Sequence, residues 1–176
     1  MRLLRRLLTI IVVLALILTA TAFLLPREVT ITRETTIAAP ADTIFAFVNS
    51  PKTASGWSPW TSKDPAMTVS YEGPAEGVGA RMVWTSAVLG DGTQEIVTSD
   101  PGKTVTSTLT FGGMAPSTAT LALAPEDTAT KVTWSITSDM GMNPIGRWMG
   151  LLMLDRWIGP DFETGLANLK SLAETG

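Results

Sequence analysis

Three consecutive segments of this chain alternate residue by residue. In 104–111, Val105, Leu109 and Phe111 oppose Thr104, Thr106, Thr108 and Thr110. In 117–124, Ala119, Leu121 and Leu123 oppose Thr118 and Thr120, and in 130–138, Val132, Trp134 and Ile136 oppose Lys131, Thr133, Ser135 and Thr137. A period of two belongs to strands, and slipping the pairing by one residue would send the whole apolar set into water. The segments therefore demand one sheet with a greasy face that must be covered and a threonine-rich face that need not be.

Further strand-like runs lie at 67–72, 80–87 and 93–99, separated by Gly73-Pro74, Gly90-Asp91-Gly92, Pro101-Gly102, Gly112-Gly113 and Pro125-Glu126-Asp127. Connections this short join antiparallel neighbours, so the six runs read as a meander. Before them, Val29, Ile31 and Ile37 share one face of a first strand, with Arg33 and Thr35 as polar exceptions on that face. Pro40, Asp42 and the apolar group Ile44, Phe45, Phe47 and Val48 describe a short amphipathic helix ended by Asn49-Ser50-Pro51.

The cover for the sheet is a long C-terminal helix over 143–170. From Ile158 its apolar positions Phe162, Leu166, Leu169 and Ala173 recur at steps of three and four, which makes a seam for packing on a sheet. The preceding part is different. Trp148, Met149, Leu151, Leu152, Met153, Leu154 and Trp157 cover more than one face, and Gly159-Pro160 can kink the helix between its halves.

At the N-terminus, Arg2, Arg5 and Arg6 precede an uncharged stretch over residues 7–25. As a helix this stretch is about 28 Å long, enough to cross a hydrocarbon core of about 30 Å. The arginines place the N-terminus in the cytoplasm and the rest outside, giving a single-pass protein of a bacterial inner membrane. The competing expectation is a cleaved signal peptide, with Ala20-Thr21-Ala22 as the cleavage site. Residues 1–26 are thus an anchor or signal peptide, and 27–176 a single folded domain.

Composition removes several function classes. The chain has no histidine and no cysteine, so a Ser-His-Asp triad, a Cys-His pair or a cysteine- or histidine-ligated zinc site cannot be built. No metal site or cofactor is expected. The net charge of −3, without a basic stripe, argues against nucleic acid as a partner. Among ionisable side chains near strand ends or the long helix, Asp64, Glu72, Arg81, Glu95, Asp139, Asp155 and Asp161 show no diagnostic spacing, and no catalytic residue is assigned.

The order strand, helices, six hairpin-connected strands, long helix is an α+β arrangement. Together with WSPWTSKDPAMTVSYEGPAEGVGARMVW at 57–84 and IGPDFETGLANLK at 158–170, it resembles the SRPBCC superfamily (START-like, polyketide cyclase/dehydrase and lipid transport), particularly its small membrane-anchored bacterial members. The resemblance covers residues 27–174. It implies a helix-grip fold, a seven-stranded antiparallel sheet wrapped around the C-terminal helix, with a largely apolar cavity between them.

The expected function is a membrane-tethered binding module for a hydrophobic small molecule or lipid. Alternatives are a cyclase- or dehydrase-type enzyme using a cavity carboxylate, and an envelope interaction module whose apolar helix engages a protein partner of unknown identity. Expected cavity-lining residues are Trp84, Phe111, Trp134, Met140, Trp148, Met149 and Met153; methionine suits an adaptable pocket wall. Met82, Met114 and Met142 are weaker candidates of the same kind. Trp57 and Trp60 are read either as an anchor plugging the base of the sheet or as a rim or membrane-interface pair.

Overall fold

A computed structural model describing residues 2–112 and 115–175 has the element order α1 (Arg2–Ala22), β1 (Glu28–Ile37), α2 (Ala41–Val48), α3 (Pro51–Ala54), α4 (Pro59–Lys63), β2 (Thr68–Glu72), β3 (Arg81–Thr85), β4 (Gly92–Asp100), β5 (Thr104–Phe111), β6 (Ser117–Glu126), β7 (Ala129–Asp139) and α5 (Pro144–Thr175). The strands form one antiparallel sheet in the order β1-β7-β6-β5-β4-β3-β2. The hairpin meander from β2 to β7 is as the alternation requires. β1 joins β7 with Ile31 opposite Ile136 and Arg33 opposite Trp134.

Side-chain parity follows the sequence. Val105, Leu109, Leu121, Val132, Trp134 and Ile136 are buried on the inner face. Outward hydroxyls pair across strands, with Thr30 and Thr137 at 2.8 Å and Thr106 and Thr120 at 3.2 Å. A register shift between Ile96 and Thr98 bends β4, and such bulges increase local twist and curvature. β6 extends through Pro125 to Glu126, so the β6–β7 connection contracts to a tight turn in which Asp127 adopts φ 52°. Aspartate tolerates this left-handed geometry better than most side chains do.

α5 starts where Asn143 Oδ1 accepts the amides of Ile145 and Gly146, at 3.0 and 3.2 Å, a side-chain N-cap. Pro144 then occupies a first-turn position that needs no amide donor. Its second half closes the core: Phe162, Leu166, Leu169 and Ala173 are buried against the sheet, with Ile44 and Val48 of α2. Each of these side chains larger than alanine contributes about 1.5–3 kcal/mol relative to exposure.

The helix is one continuous element through Gly159-Pro160. Arg33 braces this stretch. Its guanidinium crosses the face of Gly159 and pairs with Asp155 at 2.9 Å and Glu163 at 2.7 Å, splinting the turns on either side of the proline. These carboxylates raise the pKa of Arg33, the hydrogen bond to Asp155 being the larger cause. The polar exception on β1 is thus accounted for by α5.

Candidate functional site

Between the inner face of the sheet, the α3–α4 segment and the middle of α5 lies a cavity of about 350 Å³. Strands supply Val105, Leu109, Leu121 and Ile136, and α5 supplies Trp157, Ile158, Asp161 and Phe162. One end is aromatic. Trp134 stacks on Phe162 with centroids 3.9 Å apart and planes 3° from parallel, while Trp57 and Trp60 meet Trp134 edge-on at 5.3 and 5.7 Å. Such pairs add about 0.5–1.5 kcal/mol each beyond their buried area. The other end is formed by Trp84 and Phe111, edge to face at 5.6 Å, with Met67 and Met82 in the same wall.

Two of the lining tryptophans, Trp57 and Trp84, are fixed by their polar handles. Trp57 Nε1 donates to the Phe47 carbonyl at 3.0 Å, and Asn168 Nδ2 donates to the carbonyl of Trp57 at 3.1 Å. Trp84 Nε1 donates to the Gly90 carbonyl at 3.0 Å. With their donors engaged by the backbone, these two rings offer the cavity hydrocarbon rather than hydrogen bonds. Polar groups in the lining are few. Gln94 Nε2 donates to Ser107 Oγ at 3.4 Å, and Asp161 pairs with Lys63.

Of the residues expected to line the cavity, Trp84, Phe111 and Trp134 border it, as does Met82. Met140, Trp148, Met149 and Met153 do not. They lie beyond its edge because the cavity wall on α5 is the stretch from Trp157 to Phe162, and the first half of the helix passes alongside α1 instead. Trp148 Nε1 donates to the Leu18 carbonyl at 3.0 Å, and Met140 packs against Gly150. Met149 and Met142 are exposed, at 44% and 69%. Met114 falls outside the described residues. Trp57 is buried in the core, Trp60 packs partly buried against it, and both border the cavity.

Phe162, Trp157, Leu109 and Met67 are wall residues that sequence reasoning missed as such. The helical periodicity already marked Phe162 as inward, and parity did the same for Leu109. Neither signal distinguishes a residue in a filled core from one bordering a void.

Most ionisable candidates are engaged elsewhere. Asp64 is buried but accepts Ser86 Oγ at 2.6 Å and the Ala66 amide at 3.0 Å, tying its turn to the β3–β4 loop. Arg81 points away from Met82 and Trp84, and lies 3.8 Å from Glu72. Asp139 binds Arg27 at 2.6 Å and accepts the Gly141 amide, and these bonds hold its carboxyl at about 2, below the usual carboxylate range. Asp161 is the carboxylate in the lining. Among the described residues, no cluster of three or more histidine, cysteine, aspartate or glutamate side chains is placed to hold a metal.

At the α1–α5 junction, Arg147 is 7% exposed and points at backbone. Its guanidinium donates to the carbonyls of Gly141 at 3.0 Å, Leu25 at 3.2 Å and Phe23 at 3.4 Å, and lies 5.3 Å from the centroid of the Phe23 ring. Phe23 directly follows Ala22, the last residue of α1, where carbonyls carry the partial negative charge of a helix C-terminus, which suits a cation. α1 itself is long and apolar enough to cross a membrane, a property that signal sequences share.

Solved structures share the fold at low identity. Norcoclaurine synthase of Thalictrum flavum superposes with a TM-score of 0.64 at 16% identity, covering 85% of this chain and 88% of that one. The Aha1 dimer of Colwellia psychrerythraea gives 0.60 at 19%, covering 84% and 98%. A protein of Chromobacterium violaceum gives 0.59 at 16%, covering 84% and 99%. No curated protein matches the chain by sequence. Residues 28–174, from the start of β1 to the end of α5, match the family model for polyketide cyclase / dehydrase and lipid transport, and the chain belongs to that family, within the SRPBCC superfamily.

Proposed function

We propose that the chain is a membrane-tethered module that binds a hydrophobic small molecule or single-chain lipid between sheet and α5. Residues 1–26 act as an uncleaved anchor in a bacterial inner membrane, and 27–176 form the binding domain on the extracytoplasmic side. The observation that carries the reading is the cavity itself, about 350 Å³ and lined largely by apolar and aromatic side chains, with the Trp57 and Trp84 indole donors engaged by backbone carbonyls. Small-molecule sites span about 300–1,000 Å³, so this one suits one acyl chain or a compact ring system. Burial there contributes about 25 cal/mol per Å² of apolar surface before ordering costs. Arg2, Arg5 and Arg6 support the orientation.

Native mass spectrometry of the full chain extracted from its own membrane tests this. An apolar adduct is expected on the wild type and on Leu172→Ser, which lies outside the cavity, and is expected to be lost from Ala119→Phe and Ala119→Leu, which fill it. An adduct retained equally by folded forms of all four proteins would overturn the assignment.

An enzymatic reading rests on Asp161, the carboxylate bordering the cavity, held against Lys63. Norcoclaurine synthase, which shares the fold, has been solved with dopamine and hydroxybenzaldehyde. Adducts recovered as two interconverting compounds, at a rate lowered by Asp161→Asn, would favour catalysis over binding.

A further inference from the structure

The first half of α5 leaves a continuous apolar stripe uncovered. Met142, just before the helix, and Ile145, Met149 and Leu152 follow one another at steps of three, four and three, and are 69%, 68%, 44% and 57% exposed. Four residues on, the stripe ends at the exposed Arg156, which forms no ion pair among the described residues. From Met140 to Leu154 the one charged side chain is Arg147, and its guanidinium is turned inward onto backbone carbonyls. A water-facing helix ordinarily carries charge on its outer face; here that face is hydrocarbon ended by a single cation.

Position identifies what covers it. The stripe adjoins α1, whose apolar surface is also exposed along most of its length. Trp148 Nε1 reaches back to the carbonyl of Leu18, which lies about 6 Å along α1 from its last residue, Ala22, taking a rise of 1.5 Å per residue. Arg147 meanwhile grips the carbonyls of Phe23 and Leu25. The start of α5 is therefore held at the level of the last turns of α1. If those turns are in a bilayer, the stripe is at its surface. Hydrocarbon flanked by an indole and a cation is the chemistry of an interfacial helix, with Arg156 at the depth of the phosphate headgroups.

We propose that the stripe Met142, Ile145, Met149 and Leu152 lies in the interfacial layer of the bilayer that α1 crosses, giving the domain a second, fixed membrane contact. The inference rests on the reading of α1 as a span. It also deepens the ligand assignment. Trp157 and Ile158, which wall the cavity, directly follow the immersed segment, so the cavity's α5 side faces the lipid surface and an apolar ligand enters from the membrane.

The chain has no native cysteine, which permits single-site labelling of the full-length protein. Environment-sensitive fluorophores are placed on Ile145→Cys, Met149→Cys, Val13→Cys in α1 and Thr108→Cys on the outer sheet face. Each protein is reconstituted into phosphatidylethanolamine/phosphatidylglycerol vesicles carrying spin-labelled lipids with the quencher at shallow or deep positions. Probes at 145 and 149 should be quenched several-fold more by the shallow label than the probe at 108, and the probe at 13 most by the deep label. Quenching at 13 but not at 145 or 149 would overturn the second contact and leave the span intact. No quenching at 13 would overturn both. Shielding of 145 and 149 from aqueous iodide without lipid quenching would assign the stripe to a second copy of the chain instead.

Discussion

The two halves of α5 arrange their apolar residues differently and meet opposite fates. In the second half the apolar residues recur on one face and every one from Phe162 to Ala173 on that seam is buried. In the first half they spread around the helix, and Ile145, Met149, Leu151, Leu152 and Trp157 remain exposed. The more apolar half is the less buried one, so periodicity marks the sheet-packing segment where hydrophobicity alone does not. An apolar surface without a matching partner on the sheet has to find its cover elsewhere, and α1 covers only part of it.

The sharpest way to break this comparison is truncation in each half. Phe162→Ala, which removes a ring stacked on Trp134, should lower stability by about 3–5 kcal/mol, whereas Leu152→Ala should stay within about 0.5 kcal/mol in detergent. Equal shifts of the two unfolding midpoints would mean that the first half is as firmly packed as the second. Glycines give a second contrast. A Cβ at Gly165 would lie 2.7 Å from Trp134 Cζ3 and 3.2 Å from Pro59 Cδ, so Gly165→Ala should destabilise by about 1–3 kcal/mol through overpacking. At Gly146 the nearest atom is Asn143 Cβ at 3.4 Å, so Gly146→Ala should be neutral or gain up to about 1 kcal/mol from helix propensity.

Arg147→Met sharpens the comparison within the first half. It keeps the buried stem while leaving the carbonyls of Phe23 and Leu25 short of donors, a loss of about 1–3 kcal/mol. Hydrogen exchange should show faster exchange confined to residues near 141–150 and the α1–β1 link, with the second half of α5 unchanged. The smallest effect is electrostatic. Asp139 falls from 3.8 to about 2 because it is bonded to Arg27 and the Gly141 amide. A carboxyl with a depressed folded pKa stabilises above its ordinary value and loses that contribution as pH falls through the folded one. Wild type and Arg27→Gln should therefore differ modestly in midpoint above about pH 4 and converge towards pH 2, the pair being exposed.

Much of the fold was legible because its signals are local. Alternation at Thr104–Phe111 and around Trp134 fixed strands, faces and register, and short Gly- and Pro-bearing connections fixed antiparallel order. The site was legible only in part. Trp84, Phe111 and Trp134 point inward by parity alone, but parity does not say whether an inward residue meets a neighbour or a void. Met149 and Met153 illustrate the converse: methionine marks an adaptable apolar surface without marking which surface.

The sequence by itself determined the sheet, its greasy face, the packing seam from Ile158 to Ala173 and a helix able to cross a membrane, since each depends on residue spacing along one segment. Only the tertiary structure decided where the cavity lies, that Arg33 splints α5 across Gly159-Pro160, and that Arg147 and Trp148 bind the end of α1. Those contacts join residues separated by about a hundred positions or more, and their geometry depends on how far the curved sheet holds its central strands from the helix that closes it.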